Sequence, residues 1–368
     1  METQEVPDDV LLAPARRFDR PTTAHARSCF DGSHAAAERV YHGGGVWAEQ
    51  DPARLASLPV ASRPLNVGDR RFPPLYRNTA WRVSGYVHAL RVAPNALYRQ
   101  RAAAGGEYLL REQRPDGSFL YWRGRTDGWP GAVHLLFCTA NPGCAFLELY
   151  RLTGDSRYCQ ASQRAADWAV GAAISPNTNY NSFAVWHLCE HFSITGEARY
   201  LESALDRTLR GVFPGQLGNG GWPAHNAWIF YHAIIVRGLA ALHRVLPTTH
   251  PTRPELRRRL VMAVNHLLAE QRESGCLRSC FDPAEWLASR APTNPYSVHP
   301  ETKVDPFSIQ ALVCVQEWTD LDVRRALYGL LSLPRQDELV QGQEGMMHLA
   351  YGVAYRWLTE TAGREDPP

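Results

Sequence analysis

From Trp81 onward the chain alternates stretches of apolar residues at three- and four-residue spacing with short polar breaks. Ala132 to Thr153, Ser182 to Thr195, Ala227 to Leu246 and Pro254 to Glu270 carry that spacing, which predicts helices. The Gly, Asn, Asp and Pro clusters between them read as turns. The predicted helices are of two kinds. One is long and aromatic, as in NSFAVWHLCEHFSITG and HNAWIFYHAIIVRGLAALHRVL; the other is more polar and comes after a short link, as in DSRYCQASQRAADWAVG and PELRRRLVMAVNHLLAEQRESG. Residues 1–75 lack this pattern. They are rich in Pro, Ala and Arg, and are expected to form an extended or partly helical arm over a main domain spanning 76–360, with 361–368 a disordered tail.

A phrase of the form Gln-x-x-x-Gly-x-(large apolar) occurs four times: Gln113–Phe119, Gln216–Trp222, Gln271–Leu277 and Gln341–Met347. A second repeat is the loop Thr153-Gly154-Asp155, copied as Thr195-Gly196-Glu197, each succeeded by Arg-Tyr and a new helix. Gly154 and Gly196 suit a left-handed helix end, and Asp155 or Ser156 suits the N-terminal cap of the new helix. The loops lie about 42 residues apart, the length of a helical hairpin, and about six such hairpins fit after Trp81. Stacked hairpins bury their inner faces against one another, and closing them into a ring protects both ends. The expected fold is therefore all-α, an (α/α)6-type toroid of helical hairpins with an irregular N-terminal arm. An open solenoid is disfavoured by the aromatic content and the imperfect periods.

The chain has 45% apolar and 21% charged residues, as an ordered globular protein does. A formal net charge of +2 gives no electrostatic case for a nucleic-acid partner. No run reaches the eighteen apolar residues of a membrane span, and METQEVPDDV has no signal-peptide pattern. The eight cysteines are scattered and mostly sit in apolar helical text, so buried free thiols and a cytoplasmic location are expected.

The repeats resemble the six-hairpin α/α toroid superfamilies, which include glycoside hydrolases, polysaccharide lyases and sugar epimerases together with the terpene cyclase and prenyltransferase group. The TGDSRY and TGEARY loops look like hairpin links of the sugar-active members. The Gln-x-x-x-Gly-x-Trp phrase at 216–222 looks like the QW motif of triterpene cyclases, in which the Gln ties an outer helix to its turn and the aromatic ring packs beneath. The cyclase acids have no counterpart. The nearest text, Asp320-Leu321-Asp322, lacks the further acid of an Asp-x-Asp-Asp cluster.

In such a toroid the starts of the inner helices face one mouth of the ring, so residues at the starts of the aromatic segments are the candidates for chemistry. The first cluster includes Tyr180, Asn181, Trp186, His187, Glu190 and His191. The last three share a helical face and spell the zincin-like pattern His-x-x-Glu-His without a third ligand, so no metal and no cofactor are expected. The second is Trp222, His225, Asn226, Trp228, Tyr231 and His232, which combines stacking faces with hydrogen-bonding groups as a sugar ring requires. The third is Tyr296, His299, Glu301 and Asp305. The fourth centres on Asp127 and Trp129, with Arg123, Arg125 and His134 nearby. Bland roles compete throughout: caps for His191, His225 and Asp305, a satisfied core position for His232, and turn amides for Asp116 and Glu344.

The expected function is that of a carbohydrate-active enzyme, a lyase, epimerase or hydrolase of a sugar or uronate, with a small-molecule or oligosaccharide substrate. Hydrolysis needs two carboxylates, one of them protonated, and Asp127, Glu190, Glu301 and Asp305 are the acids at hand. Proton abstraction needs a Tyr or His base with Asn or Arg steadying the anion, for which His187, His225, Tyr231, His232, Asn226 and Asn181 are suited. A terpene cyclase-like or prenyl-substrate enzyme with an aromatic cavity is the alternative, and a non-catalytic helical-repeat interaction protein a third reading.

Overall fold

The computed structural model of the chain describes residues 18–41, 43–47, 76–120, 135–278, 280, 301–302, 305–333 and 344–363. Among the described residues there are twelve α-helices and one antiparallel pair of short strands, β1 (Leu277–Arg278) and β2 (Glu301–Thr302). The helices are α1 (Thr23–Arg39), α2 (Tyr76–Leu90), α3 (Ala96–Glu112), α4 (Leu135–Thr153), α5 (Ser156–Gly171) and α6 (Thr178–Thr195). They continue as α7 (Ala198–Arg207), α8 (Ile229–Val245), α9 (Arg253–Ala269), α10 (Pro306–Trp318), α11 (Arg324–Leu331) and α12 (Glu344–Glu360).

Several starts are fixed by side-chain caps that satisfy the free amides of a first turn. Asn95 accepts from Tyr98 N at 3.1 Å, Asp155 from Arg157 N at 2.9 Å, Asn177 from Asn179 N at 3.3 Å and Asp305 from Ser308 N at 2.7 Å. Asn177 explains why α6 begins four residues before the predicted Ser182. The helix predicted from Ala227 begins at Ile229 instead, because Ala224–Ala227 winds as a 3₁₀ turn.

The chain divides into two compact units, one of Met1–Pro21 and Ile174–Pro334, the other of Thr22–Ala173 and Arg335–Pro368. In the first, α6, α8 and α10 form an inner row, with α8 between the other two, and α7, α9 and α11 each back onto the helix before them. In the second, α12, α2 and α4 form the row with α2 central. There α3 backs α2, α5 backs α4, and α1 backs α12. The last inner helix therefore takes its outer partner from the other end of the chain: Ser33 Oγ meets His348 Nδ1 at 3.0 Å, and the Phe30 and His348 rings lie 4.6 Å apart. Inner helices are buried nearly all round, and α10 exposes nothing from Pro306 to Val315.

The Gln phrases are one repeated joint. Gln113 Nε2 donates to Gly117 O (3.0 Å) and to Ala161 O of α5 (2.8 Å). Gln216 Nε2 donates to Gly220 O (3.1 Å) and Arg259 O of α9 (3.0 Å), and Gln271 Nε2 to Gly275 O (3.0 Å) and Ala326 O of α11 (2.8 Å). Each Gln thus ties the end of one outer helix to its own turn and also to the next outer helix. The glycines are required twice over. Gly117, Gly220 and Gly275 have φ of +87°, +89° and +88°, and a Cβ there would stand 2.2, 2.2 and 2.4 Å from the carbonyl oxygens of Arg164, Met262 and Gly329. The large apolar residues Phe119, Trp222 and Leu277 are buried beneath. Gln341 lies outside the described residues.

The Thr-Gly-acid loops join inner to outer helices at the opposite end of each hairpin. Gly154 and Gly196 are left-handed, with φ of +72° and +69°, and their amides close on Tyr150 O and Phe192 O at 2.8 Å each. A third copy, one residue longer, joins α10 to α11. Thr319 Oγ1 bonds back to Val315 O at 2.5 Å, and Asp322 accepts from Arg324 N at 3.1 Å, as Asp155 does from Arg157. Asp320 and Asp322 are each ion-paired at 3.0 Å, to Arg257 and Arg324 respectively, so the text nearest to a cyclase acid cluster is a hairpin link.

Candidate active site

In the unit containing α6, α8 and α10 the helix starts gather at one end of the inner row. Asn226, in the 3₁₀ turn ahead of α8, accepts from Asn179 at the start of α6, from Nδ2 at 3.0 Å and from the backbone N at 3.3 Å. Asn179 is fully buried, and its Oδ1 has no hydrogen-bond partner among the described residues. One turn further in, Phe183 of α6 lies 6.1 Å edge-on from Phe307 at the start of α10.

Three half-buried rings stand beside the amide pair. His225 and Tyr231 have ring centroids 3.9 Å apart, and Tyr231 and Phe230 4.0 Å apart, while Trp228 backs them from a buried position. Burial pulls His225 down to about 4, so its imidazole is neutral at pH 7, and its Nε2 has no hydrogen-bond partner among the described residues. The preceding Ala224 has φ of 52°, a left-handed value that costs free energy for a residue with a Cβ.

Asp305 sits at the start of α10 and is buried. Burial raises its carboxyl to about 6 against the pull of its Ser308 and Phe307 hydrogen bonds. Below this level Arg237 of α8 stacks on Trp186, its guanidinium carbon 3.7 Å from the ring centre and 5.5 and 5.6 Å from those of Phe183 and Phe307. Arg237 also donates to Gln310 of α10. Deeper still, Glu190 pairs with Arg244 at 2.7 Å, and Arg244 covers Trp318 at 3.9 Å.

The structure therefore gathers Asn226, His225, Tyr231 and Trp228 in one place, with Tyr180 half-buried near the start of α6. It gives other candidates different positions. Asn181 is a clamp: its Oδ1 accepts from Ser175 N at 2.9 Å, and its Nδ2 donates to Ser175 O at 2.8 Å and Gly211 O at 3.3 Å. Trp222 is buried under its turn with Nε1 bonded to Val212 O at 2.9 Å. His232 is fully buried, Nε2 donating to Ala263 O at 2.8 Å, and burial takes it to about 3. His187 is fully buried as well, also taken to about 3, with its ring 6.3 Å from that of His191. His191 meets Tyr200 edge-on at 4.7 Å. Among the described residues no group of three or more His, Cys, Asp or Glu is arranged to hold a metal ion. Asp127, Trp129, Tyr296 and His299 lie outside the described residues, as does the side chain of Glu301.

Arg237 and Gln310 join the site although the sequence does not single them out, and Asn179 joins it from the polar run that opens the first cluster. Asn179 is one letter of the polar run 177–182, and Arg237 is a lone cation in the apolar text AIIVRGLAAL. Gln310 carries no signal of its own.

No protein-family model matches the sequence, and no curated protein matches it. In structure the chain is similar to the unsaturated glucuronyl hydrolase of Streptococcus agalactiae, with TM-score 0.63 and 11% identity over 92% of each chain. It is similar also to a glycosyl hydrolase family 88 protein from Bacteroides vulgatus (TM-score 0.55, 14% identity, 92% of this chain and 100% of that one). A polysaccharide lyase matches with TM-score 0.53 and 14% identity, over 77% of this chain and 91% of that one. At such identities the likeness is one of fold. The chain has the all-α fold of the α/α toroid class, as its hairpin repeats predicted.

Proposed function

We propose that this chain is a carbohydrate-active enzyme working on a sugar or uronate at the helix starts of α6, α8 and α10. The observation that carries the reading is the half-buried stack of His225, Tyr231 and Phe230 beside the Asn179–Asn226 amide pair. A pyranose ring offers an apolar face and a rim of hydroxyls, and this surface offers half-buried rings beside a buried amide pair whose Asn179 Oδ1 has no partner among the described residues. The fold neighbours named as glucuronyl hydrolase and polysaccharide lyase support the substrate class, and one such hydrolase variant is complexed with dGlcA-GalNAc6S.

Asp305 is the residue we assign as acid, since a carboxyl titrating near 6 holds a proton to give to a leaving oxygen. A second reading, proton abstraction, is favoured by one observation: His225 is a neutral imidazole with an uncommitted Nε2. The thiols outside any disulfide and the lack, among the described residues, of a helix long and apolar enough to cross a membrane fit the cytoplasmic assignment.

The test is turnover of three substrate groups: unsaturated glucuronyl disaccharides, intact uronate polymers and neutral glycans. A lyase creates a double bond beside the carboxylate and raises ultraviolet absorbance; a hydrolase releases reducing ends without raising it. Asp305→Asn keeps a competent cap and is expected to lower hydrolysis on the order of 10²-fold. His225→Phe keeps the stack and is expected to spare hydrolysis but abolish elimination. Failure to bind or turn over any of the three groups sinks the reading.

A further inference from the structure

The other unit buries a cation that none of its described side chains hydrogen-bonds or ion-pairs with. Arg82 of α2 is 1% exposed, none of its three nitrogens has a hydrogen-bond partner, and it stands in no ion pair among the described residues. An arginine keeps its charge inside a protein, so it cannot escape burial by losing a proton. A buried, uncompensated charge is among the most costly groups a fold can hold. The Trp47 ring, 5.8 Å from the guanidinium carbon, accepts charge on one face only and leaves the in-plane N–H groups unused.

Further polar atoms beside Arg82 also have no hydrogen-bond partner among the described residues. Trp47 Nε1 is a donor on a ring that is 0% exposed, and Thr79 Oγ1, likewise 0% exposed, lies one turn before Arg82 on the same face of α2. His348 of the adjacent α12 is 0% exposed, and its Nε2 is unpartnered. Its tautomer is set by its other nitrogen. Ser33 Oγ gives its proton to Phe30 O at 2.7 Å, so it accepts from His348 Nδ1–H at 3.0 Å, and Nε2 is left as a bare acceptor. Burial, reinforced by the Arg82 charge, holds this imidazole well below the usual histidine range, so it stays neutral.

We propose that Arg82, Trp47 and His348 form a binding site for a small oxyanion that also carries a hydroxyl group. The charged oxygens accept from the Arg82 fork and from Trp47 Nε1–H, and the hydroxyl donates to His348 Nε2. Thr79 serves either end through its rotatable hydroxyl. Hydrogen phosphate and small hydroxy-carboxylates share this chemistry; acetate lacks the hydroxyl. The proposal is independent of the carbohydrate reading, since the residues belong to the unit of α2 and α12.

The experiment is thermal unfolding at fixed ionic strength, with chloride replaced stepwise by phosphate, glycolate or acetate. The wild-type Tm is expected to rise with phosphate or glycolate and to rise less with acetate. The difference between phosphate and glycolate tells which oxyanion the site prefers. Arg82→Met is expected to melt higher than wild type in chloride alone, because the uncompensated charge is gone, and to lose the anion-dependent rise. Trp47→Phe keeps the ring, removes one donor and should weaken the apparent affinity several-fold. Equal rises in wild type and Arg82→Met, or no rise above chloride in wild type, overturn the proposal. If Arg82→Met does not fold, titration calorimetry of wild type with phosphate decides: one site per chain supports the proposal, and no heat overturns it. A structure grown in phosphate with only water between Arg82 and His348 overturns it as well.

Discussion

Asp305 and the inner histidines of the same unit respond to pH with opposite signs. The Asp305 carboxyl titrates near 6 in the fold against an ordinary value of 3.8, so the fold binds its proton more tightly than the unfolded chain does. Its stabilising contribution is complete below 3.8 and is lost as pH rises through about 6. His187 and His232, pulled from 6.5 to about 3, contribute above 6.5 and lose that contribution as pH falls toward 3. On acidification from pH 6 to pH 4 the carboxyl therefore offsets part of what the imidazoles lose. Asp305→Asn, which carries no charge to bury, is expected to be more stable than wild type at pH 7.5 by up to about 3 kcal/mol. The gain should vanish near pH 4, and the acid limb of the variant should be steeper. Urea unfolding at pH 7.5, 5 and 4 checks this; a variant weakened equally at all three values contradicts it. Such single-residue effects were only partly legible in the sequence. The cap role of Asp305 was, because Asp then Pro before an apolar run marks a helix start. Its burial was not, because that depends on α6 and α8 lying beside it.

Joints between helices were the most legible part of the molecule. A Gln, a Gly four residues on and a large apolar residue two beyond that form a local pattern, and the structure gives each described copy the same two hydrogen bonds. What the sequence left open was the second bond, from Gln to the next outer helix, because its acceptor is a backbone carbonyl and carries no letter. The third Thr-acid-Arg loop at 319–324 was hidden by one extra residue. Gln271 is the best copy to test, being buried with both bonds in place. Gln271→Ala leaves the carbonyls of Gly275 and Ala326 without this donor and is expected to cost about 1–3 kcal/mol. Chemical denaturation measures it, and a change within about 0.5 kcal/mol would mean the joint is ornamental.

At the scale of the whole molecule, composition was informative about class and silent about site. The apolar fraction and the scattered cysteines announced a large core with reduced thiols, and none of the eight cysteines is in a disulfide. Seven of them are buried and Cys159 alone is half-buried, with burial raising its thiol. A thiol reagent is expected to label one cysteine slowly in the native protein and eight after unfolding without reductant. More than one rapid label on the folded chain would contradict the arrangement. The candidate site was legible as a set of helix starts rather than as a list of residues. Asn226, His225 and Tyr231 came together because one turn and one helix carry them. His187 and His232 went to the core because an all-buried inner helix gives no periodic clue as to which face meets a ligand.

The pairing of α1 with α12 has a consequence for the birth of the protein. Ser33 and His348 are separated by 315 positions, so α1 leaves the ribosome long before its partner has been made. At ordinary rates of translation the wait is roughly 15–60 s. Throughout it Phe30 has Tyr86 of α2 and Tyr98 of α3 to meet, 6.2 and 5.3 Å away in the fold, while its contacts with His348 and Tyr355 of α12 are still missing. The helices α6 to α11 emerge as one uninterrupted run and meet no such delay. A chain stopped short of α12 therefore leaves uncovered only the side of α1 that meets His348 and Tyr355.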